Sequence, residues 1–166
     1  MRYSYCPFCG EKTVPRRTGD EGDIPWCDKC SRPLFDSFSV CTLSVVVNED
    51  KEIALIRQSY GDTSRFVGVA GYMKCGETAE ESAAREIAEE TGLEALSVSF
   101  LESHFYDGRD QLMLGFLARV RRAEFSISGE LSEARWFTPE EAIKTVREGS
   151  IIQKLLIAAE KRLREI

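Results

Sequence analysis

Val40 to Val47 reads V-C-T-L-S-V-V-V, an apolar, β-branched run consistent with a buried strand. A polar turn at Asn48-Glu49-Asp50 separates it from a second strand over Glu52 to Arg57. Phe66 to Ala70 is a further apolar stretch. Ser97 to Tyr106 and Gln111 to Val120 read as two more strands, joined by a turn at Asp107-Gly108-Arg109-Asp110. Ala134 to Phe137 is a short strand.

Segments of helical period lie between and after these strands. Thr78-Ala79-Glu80-Glu81 is a capping box, and Gly92 stands where a left-handed C-cap is wanted, which predicts a helix from Ala79 to Thr91. At about 100° per residue, Ser82, Glu86, Glu89 and Glu90 fall on one side of it. Ala84, Ile87, Ala88 and Thr91 fall on the other. Thr138-Pro139-Glu140-Glu141 opens another helix, with Pro139 at its first position. Ser150-x-x-Gln153 caps a last one, whose Ile152, Leu155, Leu156, Ala159 and Leu163 form an apolar stripe. Mixed strands with helices to both sides predict an α/β sandwich.

At 166 residues the chain suits one globular domain plus a small module. Residues 1–35 are the expected module and 36–166 the main domain. Cys6-x2-Cys9 and Cys27-x2-Cys30 carry the spacing of a four-cysteine Zn²⁺ site, in which two knuckles aim four thiolates at a tetrahedral centre. Gly10 supplies the tight turn of the first knuckle, and Ser31 replaces that glycine in the second. Two disulfides or a redox pair are the rival readings; the expected compartment favours zinc. Lys12 to Asp23 is a polar excursion between the knuckles, and so small a module depends on its metal. Cys41 reads as a core strand residue and Cys75 as a loop position without a role.

The formal net charge of −6 argues against a general polyanion-binding surface. No apolar stretch approaches the length of a membrane span, and Met1 to Cys6 does not lead into a signal-peptide core. The expectation is a cytoplasmic protein with neither membrane nor nucleic acid as partner.

The chemistry concentrates in Gly71 to Leu93, where glycines, an arginine and glutamates follow G-x5-E-x7-R-E-U-x-E-E-x-G-U, U being apolar. Glu86 and Glu90 stand one helical turn apart with Glu89 beside them, and like charges so placed repel by about 0.2–0.5 kcal/mol per pair. A divalent cation removes that repulsion. Oxygen ligands without His or Cys point to Mg²⁺ or Mn²⁺. Glu86 and Glu90 are the expected ligands, with Glu89 a third ligand or a water-orienting base. Arg85 and Glu77 read as a structural pair holding the loop to the helix start. Gly71 and Gly76 let the backbone bend close to phosphates. A solvated, ion-paired helix face would account for the acids, but not for the flanking glycines or the R-E-U-x-E-E order.

This pattern matches the Nudix box in full, and the chain resembles the Nudix hydrolase family. The resemblance implies a Nudix α/β/α sandwich with a mixed sheet and metal-dependent hydrolysis of a pyrophosphate bond. A four-cysteine ribbon directly ahead of such a domain is similar to the NADH pyrophosphatase subfamily, which splits NAD(H) into nicotinamide mononucleotide and AMP. From it follow a metal-binding carbonyl at Ala70, a further metal-binding acid at Glu130 or its neighbour Glu133, a substrate-contacting aromatic at Phe35, and a homodimer. Phe66, Phe105 and Tyr106 are other stacking candidates. The chain departs from the subfamily where S-Q-P-W-P-F-P is replaced by Ser103-His104-Phe105-Tyr106-Asp107-Gly108-Arg109. It also begins at the ribbon rather than with a further N-terminal domain. His104, the one histidine, reads as a satisfied or exposed strand residue.

The substrates expected first are NADH, NAD⁺ and ADP-ribose, with removal of an NAD-type cap from RNA ranked below them. The competing class is a nucleotide-sensing or protein-binding module that uses the ribbon for docking. A ribbon reading nucleic acid would need its basic residues free, and Lys12, Arg16, Arg17, Lys29 and Arg32 are offset by Glu11, Asp20, Glu21, Asp23 and Asp28.

Overall fold

The computed structural model describes residues 3–164. The first two residues of the expected module and the last two of the main domain lie outside the described residues. The described chain divides into two compact units, one ending at Phe38 and the other beginning at Ser39.

In the first unit, β1 (Val14–Arg17), β2 (Asp23–Cys27) and β3 (Arg32–Pro33) form a three-stranded antiparallel sheet in that order. The polar stretch read as an excursion is therefore largely a hairpin, paired from Val14↔Trp26 to Arg17↔Asp23. A short 3-10 turn, Gly19–Glu21, closes it, and Gly22 follows at φ 74°, where a glycine is needed. Cys6, Cys27 and Leu34 are the buried apolar residues here, with Tyr3, Cys9 and Cys30 packed around them. So little apolar material makes the cysteine cluster itself the centre of the unit.

The second unit is a mixed sheet between helices. Its strands are β4 (Ser39–Val47), β5 (Ile53–Gln58), β6 (Val69–Tyr72), β7 (Ala95–Tyr106), β8 (Gln111–Val120) and β9 (Leu131–Phe137). The order is β7-β8-β4-β5-β9, with β6 also paired to β4. β4 runs parallel to β8 and antiparallel to β5 and β6. Being central, β4 is buried on both faces, which is why its sequence is a continuous run rather than an alternation. Leu43, Val45 and Val47 pack with Ile152, Leu155, Leu156 and Ala159 of α3 (Ile151–Arg164) and Ala142 of α2 (Pro139–Thr145). Val46, Ala54 and Ile56 pack on the other face with Ile87 of α1 (Ala79–Thr91).

α1 begins with the expected capping box, Thr78 Oγ1 accepting from Glu81 N while Glu81 accepts from Thr78 N at 2.8 Å, and ends at Gly92 in the left-handed conformation. Its faces differ from the periodicity reading. Ser82, Ala83, Ile87, Glu90 and Thr91 are buried, whereas Ala88 is exposed. The acidic and apolar sides overlap because Glu90 turns inward between the helix and β6.

One separation in the sheet positions the site. β4 pairs with β5 at Val46 and Val47 but with β6 from Cys41 to Ser44. β5 meets the residues just ahead of β6 through the isolated bridge Ile56↔Val67. Gln58 beyond that bridge and Ala70 on β6 both line the cleft described next.

Candidate active site

The cleft has a volume of about 770 Å³ and is lined by the acids of α1, by β6 and by the start of β8. Glu86, Glu89, Glu90 and Glu130 all face it. Glu86 sits against the backbone of β6, in the space left by the absent side chain of Gly71. Gly71 thus serves close packing of an acid on a strand, while Gly76, at φ 93°, serves the turn of the loop.

Glu90 is only 7% exposed, and its Oε2 is buried with no hydrogen-bond partner among the described residues. Burial, followed by the charges of Glu86 and Glu130, pushes its pKa up to about 8; the amide of Ala70 pulls the other way. A buried carboxylate in that condition is costly unless a cation joins it. Glu86, Glu89 and Glu130 add carboxylate oxygens around it, and such a donor set fits Mg²⁺ or Mn²⁺.

Arg85 organises the loop. Its Nε and Nη2 donate to the two carboxylate oxygens of Glu77 at 2.9 and 2.8 Å, and Nη2 also donates to the Tyr72 carbonyl at 3.2 Å. Nη1 donates to Glu86 at 2.6 Å and to Glu89 at 3.1 Å. The Arg85 guanidinium holds Glu77 at a pKa of about 2, and Glu77 in turn raises that of Arg85. Arg85 thereby ties the end of β6 and the loop after it to α1.

The C-terminal turn of α1 explains how a distant acid arrives. Ser126 N donates to Thr91 O at 2.9 Å and Ser128 N to Glu90 O at 3.1 Å, satisfying carbonyls that the helix end leaves open. That crossing carries Glu130 to the cleft. Glu133, its rival in the sequence, lies on β9 and pairs with Arg57 at 3.1 Å and with Arg135.

In the first unit the Sγ atoms of Cys6, Cys9, Cys27 and Cys30 lie within 4.8 Å of one another. Cys9 and Cys27 are 3.5 Å apart and Cys6 and Cys30 4.0 Å, far beyond a disulfide bond and near the roughly 3.8 Å edge of a tetrahedral zinc–thiolate centre. Cys30 N points at Cys27 Sγ at 3.4 Å, and Gly10 N donates to Cys6 O at 2.9 Å, as knuckle turns require. The thiols crowd one another: Cys9 first, then burial, pushes Cys30 up to about 12. A metal ion relieves that crowding.

The other expected residues are spread over both units. Phe35 belongs to the first unit, with its ring exposed. Phe66 is core, edge-on to Phe137 at 5.1 Å. His104 pairs with Glu102 on its own strand at 2.9 Å. Cys41 is buried as expected and reaches the floor of the cleft; Cys75 is exposed. Tyr106 lines a neighbouring cavity of about 470 Å³ that shares Gln111 and Met113 with the cleft.

Sequence reasoning passed over Tyr72 and Gln111. The Tyr72 ring is 56% exposed at the cleft, and its hydroxyl accepts from Gln111 Nε2 at 2.6 Å. Tyr72 occupies a variable position of the box, and its partner is brought near only by the β4–β8 pairing, so no local signal marks either residue. Tyr60, also exposed, lines the cleft from the loop after β5.

Residues 38–156 match the NUDIX domain family. The chain is 29% identical over 154 residues to the NAD-capped RNA hydrolase NudC of Photobacterium profundum, covering 92% of this chain and 56% of that protein. It is 28% identical to the NudC protein of Mannheimia succiniciproducens, covering 97% of this chain and 62% of the relative. The chain thus spans little more than half the length of these curated relatives. A Nudix hydrolase from Nitrosomonas europaea has the same fold at a TM-score of 0.71, with 22% identity and coverage of 96% and 93% of the two chains. The Nudix domain of Shewanella oneidensis NrtR, solved with ADP ribose, superposes at 0.67 with 15% identity, over 83% of this chain and 94% of that one.

Proposed function

The chain belongs to the Nudix family, and from that premise we propose that it hydrolyses the diphosphate bridge of a nucleoside diphosphate derivative, NADH, NAD⁺ or ADP-ribose first. The observation that carries this reading is Glu90: a buried acid with an orphaned oxygen, set among Glu86, Glu89 and Glu130 in an open cleft. Glu86, Glu90 and Glu130, with the Ala70 carbonyl, are the residues that would hold Mg²⁺ or Mn²⁺. Such an ion supplies Lewis acidity and charge neutralisation at the phosphate oxygens. Glu89, paired with Arg85 and Lys74 but with its side chain 54% exposed, can orient the attacking water and take its proton at a carboxylate oxygen. Water adds to phosphorus, the anhydride P–O bond breaks, and two monophosphates leave. Tyr72 offers a ring face on which a base can stack.

The cysteine cluster fits Zn²⁺, which would fold the ribbon and leave the chemistry to the other unit. Reduced cysteines suit a cytoplasmic location, and a homodimer belongs to the same reading. Removal of an NAD cap from RNA is a second reading, favoured by the activity named in the NudC relatives. AMP release from NADH and ADP-ribose and nicotinamide mononucleotide release from NAD-capped RNA, measured side by side with Mg²⁺ or Mn²⁺, order these substrates. Absence of turnover with every one of them overturns the proposal.

A further inference from the structure

The geometry points to Arg109 as a residue that binds a phosphate oxygen of the substrate from the part of the cleft formed by the turn ahead of β8. This rests on the diphosphate reading above and extends it to a residue outside the box.

Three cationic side chains line the cleft. Arg85 is committed to Glu77, Glu86 and Glu89. Lys74 is paired with Glu89 at 3.6 Å. Arg109 is exposed and has no ion pair among the described residues. Its backbone, by contrast, is fixed. The 3-10 turn Asp107–Arg109 ends at Asp110 in a left-handed conformation at φ 50°, and Ser39 N donates to Asp110 O at 3.1 Å, tying the turn to β4. Gln111, two residues along, is the residue that holds the Tyr72 hydroxyl. A free guanidinium on an anchored turn, beside a ring-bearing wall, matches what a nucleoside phosphate presents: a base to stack and an anion to pair. The cleft is otherwise rich in acids, so a phosphate oxygen entering it needs a cationic donor that those acids have not already engaged.

ADP binding by calorimetry and NADH hydrolysis with Mn²⁺, each compared between wild type, Arg109→Ala and Arg109→Lys, test this. The alanine variant should bind ADP about tenfold to a hundredfold more weakly and raise KM for NADH to match. Lysine should recover part of the loss, and millimolar guanidinium should partly rescue the alanine variant. Mn²⁺ affinity should be unchanged. Unaltered ADP binding and KM in Arg109→Ala would overturn the assignment, as would a loss that neither lysine nor guanidinium relieves. A wild type that binds ADP through Arg109 but hydrolyses nothing would refute the hydrolytic reading alone.

Discussion

The carboxylate of Glu86 and the α-carbon of Gly71 are in direct contact: a Cβ on Gly71 would fall 1.9 Å from the carboxyl carbon and 2.1 Å from Oε1. An acid on a helix is thereby pinned by the backbone of a strand, which fixes where a metal ligand can stand.

Gly71→Ala should therefore displace Glu86. Turnover should fall by roughly a hundredfold, and overpacking of about 1–3 kcal/mol should lower Tm by several degrees. The double variant Gly71→Ala/Glu86→Ala should recover Tm without recovering activity. A single variant with wild-type kinetics would show that Glu86 needs no such seat.

Arg85 grips Glu77 with two parallel hydrogen bonds, an arrangement lysine cannot reproduce. Arg85→Lys and Glu77→Gln should each reduce turnover by about tenfold or more. Combined, they should cost little more than either alone, since both break one contact. Fully additive losses in kcat/KM would argue that the two residues act separately.

Glu90 makes the metal-free protein pH-sensitive. Burial raises its pKa from 4.5 to about 8 in the folded state. Below about pH 4.5 the group is neutral folded or unfolded and costs nothing. As pH rises towards 8 the unfolded chain ionises first, so stability falls by up to about 1.4 kcal/mol per pH unit across that window. The Tm of protein dialysed free of Mg²⁺ and Mn²⁺ should drop by roughly 10 °C or more between pH 5 and 8.5. Glu90→Gln should remove the slope, and a flat wild-type profile would contradict the burial argument.

The legible part of this protein was the part written locally. α1 starts and stops where Thr78, Glu81 and Gly92 say it does, and β8 runs from Gln111 to Val120 as its apolar pattern demands. Helix periodicity misplaced Ala88 because it treats acids as solvent-facing, and Glu90 is an acid folded inward. The hairpin in the first unit was hidden because Val14 to Arg17 is exposed along its whole length and carries no alternation. Tyr72 and Gln111 meet across 39 positions of sequence, and only the sheet order brings them together.

The ribbon should stand or fall with its metal. The purified protein should carry one Zn²⁺ per chain by elemental analysis. Cys27→Ser should lose the ion and expose Trp26 to solvent, read as a red shift of tryptophan emission. A chelator should do the same. A zinc-free protein with an unchanged spectrum would mean that the cysteines need no ion.

Hydrolysis of NADH titrated with Mg²⁺ or Mn²⁺, in the wild type and in Glu86→Gln and Glu90→Gln, is the most direct trial of the carboxylate cluster as the seat of diphosphate chemistry. Turnover should be absent without the ion, saturate with it, and drop at least a hundredfold in both variants while their folds persist. Near-normal rates in the two variants, or turnover indifferent to the ion, would contradict it.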